Sequence, residues 1–406
     1  MQTSLKQPRV LFLDQTGQLG GAELCLADVA ASYAESSSVL LFQDGPFRSL
    51  LESKKVTVSI VCPGDHPAVI SKSSGLTGIL RAGPRFFGVA LQVAAEARRF
   101  DLIYANTAQA LIVGGVAALL SRKPLLYHLH DIISEEHFSV VNRRLLVAFG
   151  NRAAAVVANS EATRRSFIES GGRKRMTFVV YNGFDPDCYA EPATEYQLSF
   201  REDLGIGGAP CVLMVGRITP WKGQHLLLEA MRTLPGVHAI IAGDALFTDE
   251  DRQYDDRIRK AAVEAGLSGR IHFVGFRHDL PRWYGTADLV VHASTAPEPF
   301  GRVIVEAMLA GKPVIATRGG GASEILSDKI TGYLVAPGDA RLLAAAIHGI
   351  LDDPHEAAAV AGRGRDHARR KYSKEALLNG IEKVIGQVVD KTGRSGVYSE
   401  KRAKSS

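Results

Sequence analysis

The chain has 406 residues, long enough for two domains of ordinary size, and its 46% apolar and 22% charged content excludes a disordered or fibrous class. Cys25, Cys62, Cys188 and Cys211 are widely scattered with no C-x-x-C pair, which argues against a zinc site or a disulfide framework and for a reducing, cytoplasmic compartment. The net charge of +5 is modest, and no aromatics interleave with the basic clusters, so nucleic acid is not an expected partner.

The first predicted strand, 10–13, follows the N-terminus with no apolar signal core between. It runs into Gln15-Thr16-Gly17-Gln18-Leu19-Gly20-Gly21-Ala22-Glu23, a glycine-rich turn opening a helix. The spacing G-x-x-G-G departs from the dinucleotide fingerprint G-x-G-x-x-G, and Asp44, after the second strand, lies in a Gly-Pro turn. Further strands are predicted at 38–42, 57–61, 102–105, 124–129, 155–158 and 178–181. Asn106-Thr107 follows the strand at 102–105. The apolar run 108–120 is too short to span a bilayer and reads as a buried helix. Tyr127-His128-Leu129-His130-Asp131 ends the strand at 124–129, and alternation places His128 and His130 on one face. Two histidines raise zinc, but no third ligand stands at short spacing. Ser160 and Asn182-Gly183-Phe184-Asp185 read as cap and turn residues.

Between 185 and 208, proline, glycine and acidic residues replace the strand–helix rhythm and divide the chain. We expect an N-terminal domain at 1–187, a second at 188–374, a terminal amphipathic helix at 375–390 and a basic disordered tail at 391–406. The second domain has strands at 211–215, 238–242, 271–274, 289–292 and 314–316. Uninterrupted apolar strands alternating with helices predict α/β architecture: two parallel, doubly wound sheets. Asp185-Pro186-Asp187 spells D-x-D, a metal motif elsewhere, but it sits in the linker rather than at a strand end.

Three loops of the second half carry candidate chemistry. Gly216-Arg217-Ile218-Thr219-Pro220-Trp221-Lys222-Gly223 places two cations, Arg217 and Lys222, five apart at a strand's C-terminal end, where they would clamp a diphosphate. Gly319-Gly320-Gly321-Ala322-Ser323-Glu324 allows close backbone approach, with amides suited to an anion. Glu298-Pro299-Phe300-Gly301 and Glu306 follow the strand at 289–292. Pro299 would open a helix, aiming the amides of Phe300 and Gly301 at phosphate. Eight helical residues span roughly 12 Å, too far for a glycosidase pair, which needs about 5–9.5 Å. One glutamate would hold sugar hydroxyls and the other a ribose, with the diphosphate between.

The E-x7-E spacing, with G-R-x4-K-G before it and a glycine loop after it, resembles the retaining glycosyltransferases of family 4, the group 1 transferases. The resemblance covers roughly residues 9–385 and is more specific in the second half. It implies the GT-B fold: two Rossmann-like doubly wound domains facing each other across a cleft, with the terminal helix packing back on the first. It implies a nucleoside-diphosphate-sugar donor bound by Arg217, Lys222, Glu298, Pro299, Phe300, Gly301 and Glu306, and by Gly275 and Phe276 beside the base. Gly20 and Gly21 would reach the diphosphate or acceptor. His130 would face the transferred sugar, its ring oriented by Asp131, and Asn106, Thr107 and Asp131 would lie on the acceptor side. Ser323 stands where proline is usual, a departure expected to matter little. Catalysis would fall to His130, Glu298, Arg217 and Lys222, with no cofactor and no metal. The acceptor would be a polysaccharide, lipid-linked or small-molecule glycan.

Two alternatives stay open: an epimerase or phosphorylase of the same fold, and a binding protein that keeps the donor pocket without turnover. Basic clusters at Arg81/Arg85, Arg122/Lys123, Arg143/Arg144, Arg164/Arg165 and 173–175 read either as solvated helix ends or as attraction to an anionic membrane surface.

Overall fold

The computed structural model describes residues 7–61, 76–189, 200–245 and 248–391, the side chains of 76–85 and 391 excepted. Cys62, the side chains of Arg81 and Arg85, residues 190–199 of the linker and the basic tail from 392 on lie outside the described residues. The chain forms two compact units: residues through Gly183 together with those from Lys374 on, and Phe184–Ser373.

The first unit is built on a seven-stranded sheet: β1 (Val10–Asp14), β2 (Ser38–Leu41), β3 (Thr57–Ile60), β4 (Leu102–Ala105), β5 (Leu125–Leu129), β6 (Ala155–Ala158) and β7 (Thr177–Val179). Their order is β3-β2-β1-β4-β5-β6-β7, every pairing parallel. Helices cover both faces, so β1, β4, β5 and β6 are buried along their whole length. That double burial is why they read as unbroken apolar runs rather than as alternating ones.

The terminal helix Lys374–Lys391 belongs to this unit. Leu377, Ile381, Val384, Ile385 and Val388 recur at helical spacing, and they join the core formed by Val10, Phe12, Leu26 and Tyr104. A Cβ on Gly380 would meet the Val180 side chain at 2.7 Å, so glycine sets the approach. Lys374 Nζ lies 2.9 Å from Asp28 Oδ1 and anchors the helix start.

The second unit has six strands: β8 (Cys211–Val215), β9 (His238–Ala242), β10 (Ile271–Gly275), β11 (Leu289–His292), β12 (Val314–Thr317) and β13 (Tyr333–Val335). All pairings are parallel, in the order β10-β9-β8-β11-β12-β13. Read from its own first strand, this is 3-2-1-4-5-6, the Rossmann order. The sequence reading lacks β13: only three half-buried residues, bounded by Gly332 and by Pro337-Gly338, give no strand-length apolar run.

In both sheets the order reverses beside the first strand, between β1 and β4 and between β8 and β11. Ligands of open α/β sheets bind outside the carboxyl ends of the strands at such a point. The fold therefore singles out the residues after Asp14 and Ala105 in one unit, and after Val215 and His292 in the other.

Ile381 is fully buried, so truncating Ile381→Ala should lower the unfolding free energy by about 2–5 kcal/mol. Urea unfolding read by circular dichroism checks this; a loss under about 0.5 kcal/mol would mean that the terminal helix is not part of the unit's core.

Candidate functional site

In the second unit, β8 ends at Val215 and the chain turns through Gly216, whose φ is 149°. Arg217 follows, then a 3-10 turn, Pro220–Lys222, and the helix Gln224–Met231. The buried Gln224 holds the loop by donating Nε2–H to the Arg217 carbonyl at 2.8 Å. Gly223 lies against the strand beyond: with φ 80°, any Cβ there would meet Ala293 O at 2.0 Å. This geometry brings Lys222 Nζ to 2.6 Å from Glu298 Oε2 and 4.2 Å from the centre of the Trp221 ring.

Glu298 is the centre of the site. Its Oε2 also lies 3.0 Å from His292 Nε2 and accepts the Ser294 hydroxyl at 3.2 Å. Burial alone would raise the carboxyl's pKa, but the ammonium of Lys222 and then His292 outweigh it and hold the group well below the usual carboxylate range. Glu298 is therefore an anion at every pH near neutrality. His292 and Ser294 are absent from the residues expected from sequence. The signal was there, since both sit at the carboxyl end of β11, but His292 reads as one more buried strand residue.

The structure corrects the expected helix start. The helix runs Arg302–Leu309, with Gly301 before it at φ 99°, so Pro299 does not open it. The amides at its first turn are those of Arg302 and Val303, while Ile304 N–H is bonded to Gly301 O at 3.0 Å. Phe300 is a packing residue, its ring stacked 6.3 Å from Phe184 and edge-on to Tyr372. The segment 298–300 pairs instead with the glycine loop: Glu298 bridges Gly320, and Gly321 N–H donates to Glu298 O at 2.7 Å.

The role expected of the glycine loop changes accordingly. A Cβ on Gly320 would meet Glu298 O at 2.2 Å, and one on Gly321 would meet Phe300 O at 2.4 Å. These glycines admit a neighbouring backbone, and two of their three amides are used inside the protein. Gly319 N–H donates to Ser323 Oγ at 2.9 Å, so Ser323 ties the loop in a way proline at that position cannot. At Gly275 and Phe276, expected beside the base, Phe276 N–H donates to Asp244 Oδ2 at 2.9 Å and Gly275 O accepts from Gly243 N–H at 2.9 Å. The Phe276 ring is 40% exposed.

Glu306 lies deep, 4% exposed. Tyr284 donates its hydroxyl to Oε2 at 2.9 Å, and Arg302 Nε stands 3.5 Å from Oε1. Tyr189, from the 3-10 turn Pro186–Tyr189, also hydrogen-bonds this carboxylate; burial, and then the charge of Glu306, push the phenol's pKa up. Asp185 caps that turn by accepting Asp187 N–H at 3.1 Å, so the D-x-D sequence is turn chemistry.

In the first unit, Gly20 caps the helix Gly21–Ala31, the turn-to-helix form expected of that segment. Gly17 packs against the loop after β2: a Cβ there would meet Asp44 O at 2.3 Å. Asn106 is fully buried, which removes it from direct contact with an acceptor. Its Nδ2 donates to Asp14 Oδ2 at 2.8 Å, and its Oδ1 lies 2.9 Å from His130 Nε2. Thr107 caps the helix Ala108–Ser121 through Ala110 N–H. Asn106 is thus a ring partner of His130. His128 and His130 do share a face, with ring centres 3.9 Å apart. Burial, and then the neighbouring His130, hold the His128 pKa well below its ordinary value. Asp14, also unanticipated, is a lone acid at the end of an apolar strand. Burial pushes its pKa up to about 7, against the hydrogen bonds from Asn106, Thr16 and Gln15 that favour the anion.

Among the described residues no group of three or more His, Cys, Asp or Glu could hold a metal ion, and no helix is long and apolar enough to cross a membrane. Cys25, Cys188 and Cys211 are not joined in disulfides.

Two predictions follow from these environments. Lys222→Ala strands a carboxylate whose side chain is only 11% exposed; with His292 still in place, it should cost about 3 kcal/mol. Denaturant unfolding checks it, and adding Glu298→Gln should recover much of the loss. Asp14 binds its proton more tightly folded than unfolded, so its contribution to stability is greatest below about pH 4 and falls as pH rises to about 7. A carbon-13 titration of its carboxyl should show a midpoint near 7, and a midpoint near 4 would contradict that environment.

Comparison with known proteins places these features in a family. Residues 20–188 match the family described as Glycosyltransferase Family 4, and residues 197–367 match Glycosyl transferases group 1. The chain is 36% identical over 171 residues to the lipopolysaccharide core biosynthesis glycosyltransferase LpsE of Rhizobium meliloti (strain 1021), a match covering 42% of this chain and 48% of LpsE. The chain thus spans about half the length of that relative. It is 30% identical to 2-deoxystreptamine glucosyltransferase of Streptomyces kanamyceticus, covering 79% of this chain and 87% of the relative. Among solved structures, Anabaena HepE in complex with UDP-glucose is similar at a TM-score of 0.86 and 40% identity, over 94% of this chain and all of HepE. With the two Rossmann-like sheets of the GT-B fold and relatives matched across both units, the chain belongs to the family 4, group 1 glycosyltransferases.

Proposed function

We propose that the protein is a retaining glycosyltransferase that moves a sugar from a uridine-diphosphate sugar to a hydroxyl of a glycan, lipid-linked or small-molecule acceptor. The observation that carries this reading is the buried Lys222–Glu298–His292 cluster at the switch point of the second sheet. The choice of uridine rests on likeness to HepE, which is recorded with UDP-glucose.

The chemistry required is departure of a diphosphate from the sugar's anomeric carbon. Lys222 has three N–H donors, and Glu298 accepts only one. The other two are suited to phosphate oxygens, so this ammonium would tie the leaving group to the carboxylate. Arg217, on the same loop, would add a second positive charge, and the amides of Arg302 and Val303 would add helix-start dipoles. Fixed charges of this kind stabilise the leaving diphosphate from the protein itself, which supports a reaction that needs no added metal.

Glu298, permanently ionised, would accept hydroxyls of the transferred sugar through the oxygen that Lys222 does not take. Glu306 would receive the ribose hydroxyls in place of a tyrosine donor, since both of its oxygens are already engaged. In the first unit His130 is assigned to the sugar, and the loop at Gly20 and Gly21 to the diphosphate or acceptor. No side chain is placed as a dedicated nucleophile. Retention would then come from departure and attack on one face, with the leaving phosphate accepting the acceptor's proton.

The test is a thermal-shift panel of UDP, GDP, ADP and dTDP, followed by UDP release from UDP-glucose with and without candidate acceptors. UDP at about 100 times its dissociation constant should stabilise the fold by roughly 2.7 kcal/mol, and the other nucleotides by much less. Arg217→Ala should lower turnover about 100-fold or more. A shift with another nucleotide alone reassigns the base, and unchanged turnover in Arg217→Ala removes the diphosphate role.

A further inference from the structure

We propose that Asp14 and Asn106 are positioning residues that determine which ring nitrogen of His130 carries its proton. The orientation of the Asn106 amide is fixed by chemistry. One end lies 2.8 Å from Asp14 Oδ2 and 3.2 Å from Ala22 O, and both are acceptors. That end is therefore the NH2 group. The other end is the carbonyl oxygen, 2.9 Å from His130 Nε2, and it can be satisfied only by a proton on Nε2. Asn106 cannot swing away: it is fully buried, and its backbone N–H is bonded to Leu13 O at 3.0 Å. Asp14 is held equally, its Oδ1 accepting Thr16 N–H at 3.1 Å. Neutral His130 is thus the Nε2–H tautomer, with Nδ1 unprotonated.

The chain of constraints can be reversed by one isosteric change. In Asp14→Asn the side-chain oxygen must stay toward Thr16 N–H, so the new NH2 faces Asn106. Two NH2 groups then face each other, and this closer contact, at 2.8 Å, outweighs the 3.2 Å one to Ala22 O, so the Asn106 amide turns over. It then offers N–H to His130 Nε2, which can accept only if the proton moves to Nδ1. Adding Asn106→Asp supplies a carboxylate that accepts from both neighbours and restores the original tautomer.

The test is a long-range nitrogen–proton correlation spectrum of histidine-labelled full-length protein at pH 8.5, with His130 identified by its loss in His130→Gln. The wild type should show a pyrrole-type Nε2 and a pyridine-type Nδ1. Asp14→Asn should exchange the two, and Asp14→Asn with Asn106→Asp should exchange them back. A wild type protonated on Nδ1, or an Asp14→Asn spectrum that keeps Nε2–H, overturns the proposal. If Asp14→Asn does not fold, the wild-type spectrum and the double variant still decide. Its link to catalysis rests on the transferase reading, but the spectrum reads the tautomer alone, so loss of either idea is distinguishable. In turnover, Asp14→Asn should lose about tenfold or more, with recovery in the double variant.

Discussion

A buried carboxylate must be paired, and in this protein that requirement organises the second unit. Glu298 is held as an anion out of water by an ammonium at 2.6 Å and an imidazole at 3.0 Å. Such a charge is tolerable only where partners converge, and the partners here come from three places in the chain: Lys222 after β8, His292 at the end of β11, and Ser294 just beyond. The convergence fixes the loop after β8 against β11. It requires Gly223 to pass Ala293 at a distance no side chain permits. Replacing the cluster with well-packed apolar side chains could leave the fold as stable.

The same logic redistributes the backbone donors. Three consecutive glycines suggest an anion-binding nest, and a nest requires unpaired amides. Here Gly319 N–H is taken by Ser323, and Gly321 N–H by Glu298 O. The glycines let one loop lie against another so closely that Glu298 is held through its main chain as well as its side chain. The carboxylate is thereby positioned from both ends.

Much of the architecture was legible because parallel strands buried on both faces give unbroken apolar runs, and all twelve expected strands begin within a residue of where they are found. β13 was not, because three residues between glycines carry no period. The cations and glutamates of the second unit were legible through spacing on loops. What spacing does not encode is which polar groups face one another after the chain folds. His292, Asp14, Tyr189 and Tyr284 each look like ordinary strand, turn or helix residues, and only the fold sets them against Glu298, Asn106 and Glu306. The helix start was misplaced for a related reason. Proline at the first helical position is a local preference, and the pairing of 298–300 with the glycine loop is a tertiary contact that overrides it.

The two sheets use their switch points in electrostatically opposite ways. In the second unit the crevice holds a permanent anion beside a permanent cation, suited to a substrate part whose charge never changes, such as a diphosphate. In the first, the corresponding position holds Asp14, with a pKa near 7, linked through a neutral amide to a histidine. The Asp14 carboxyl can gain or lose a proton near neutrality. The duplicated strand order supplies the same crevice twice, and the residues at the ends of β1, β4 and β5 against those at the ends of β8 and β11 make the two crevices chemically unlike.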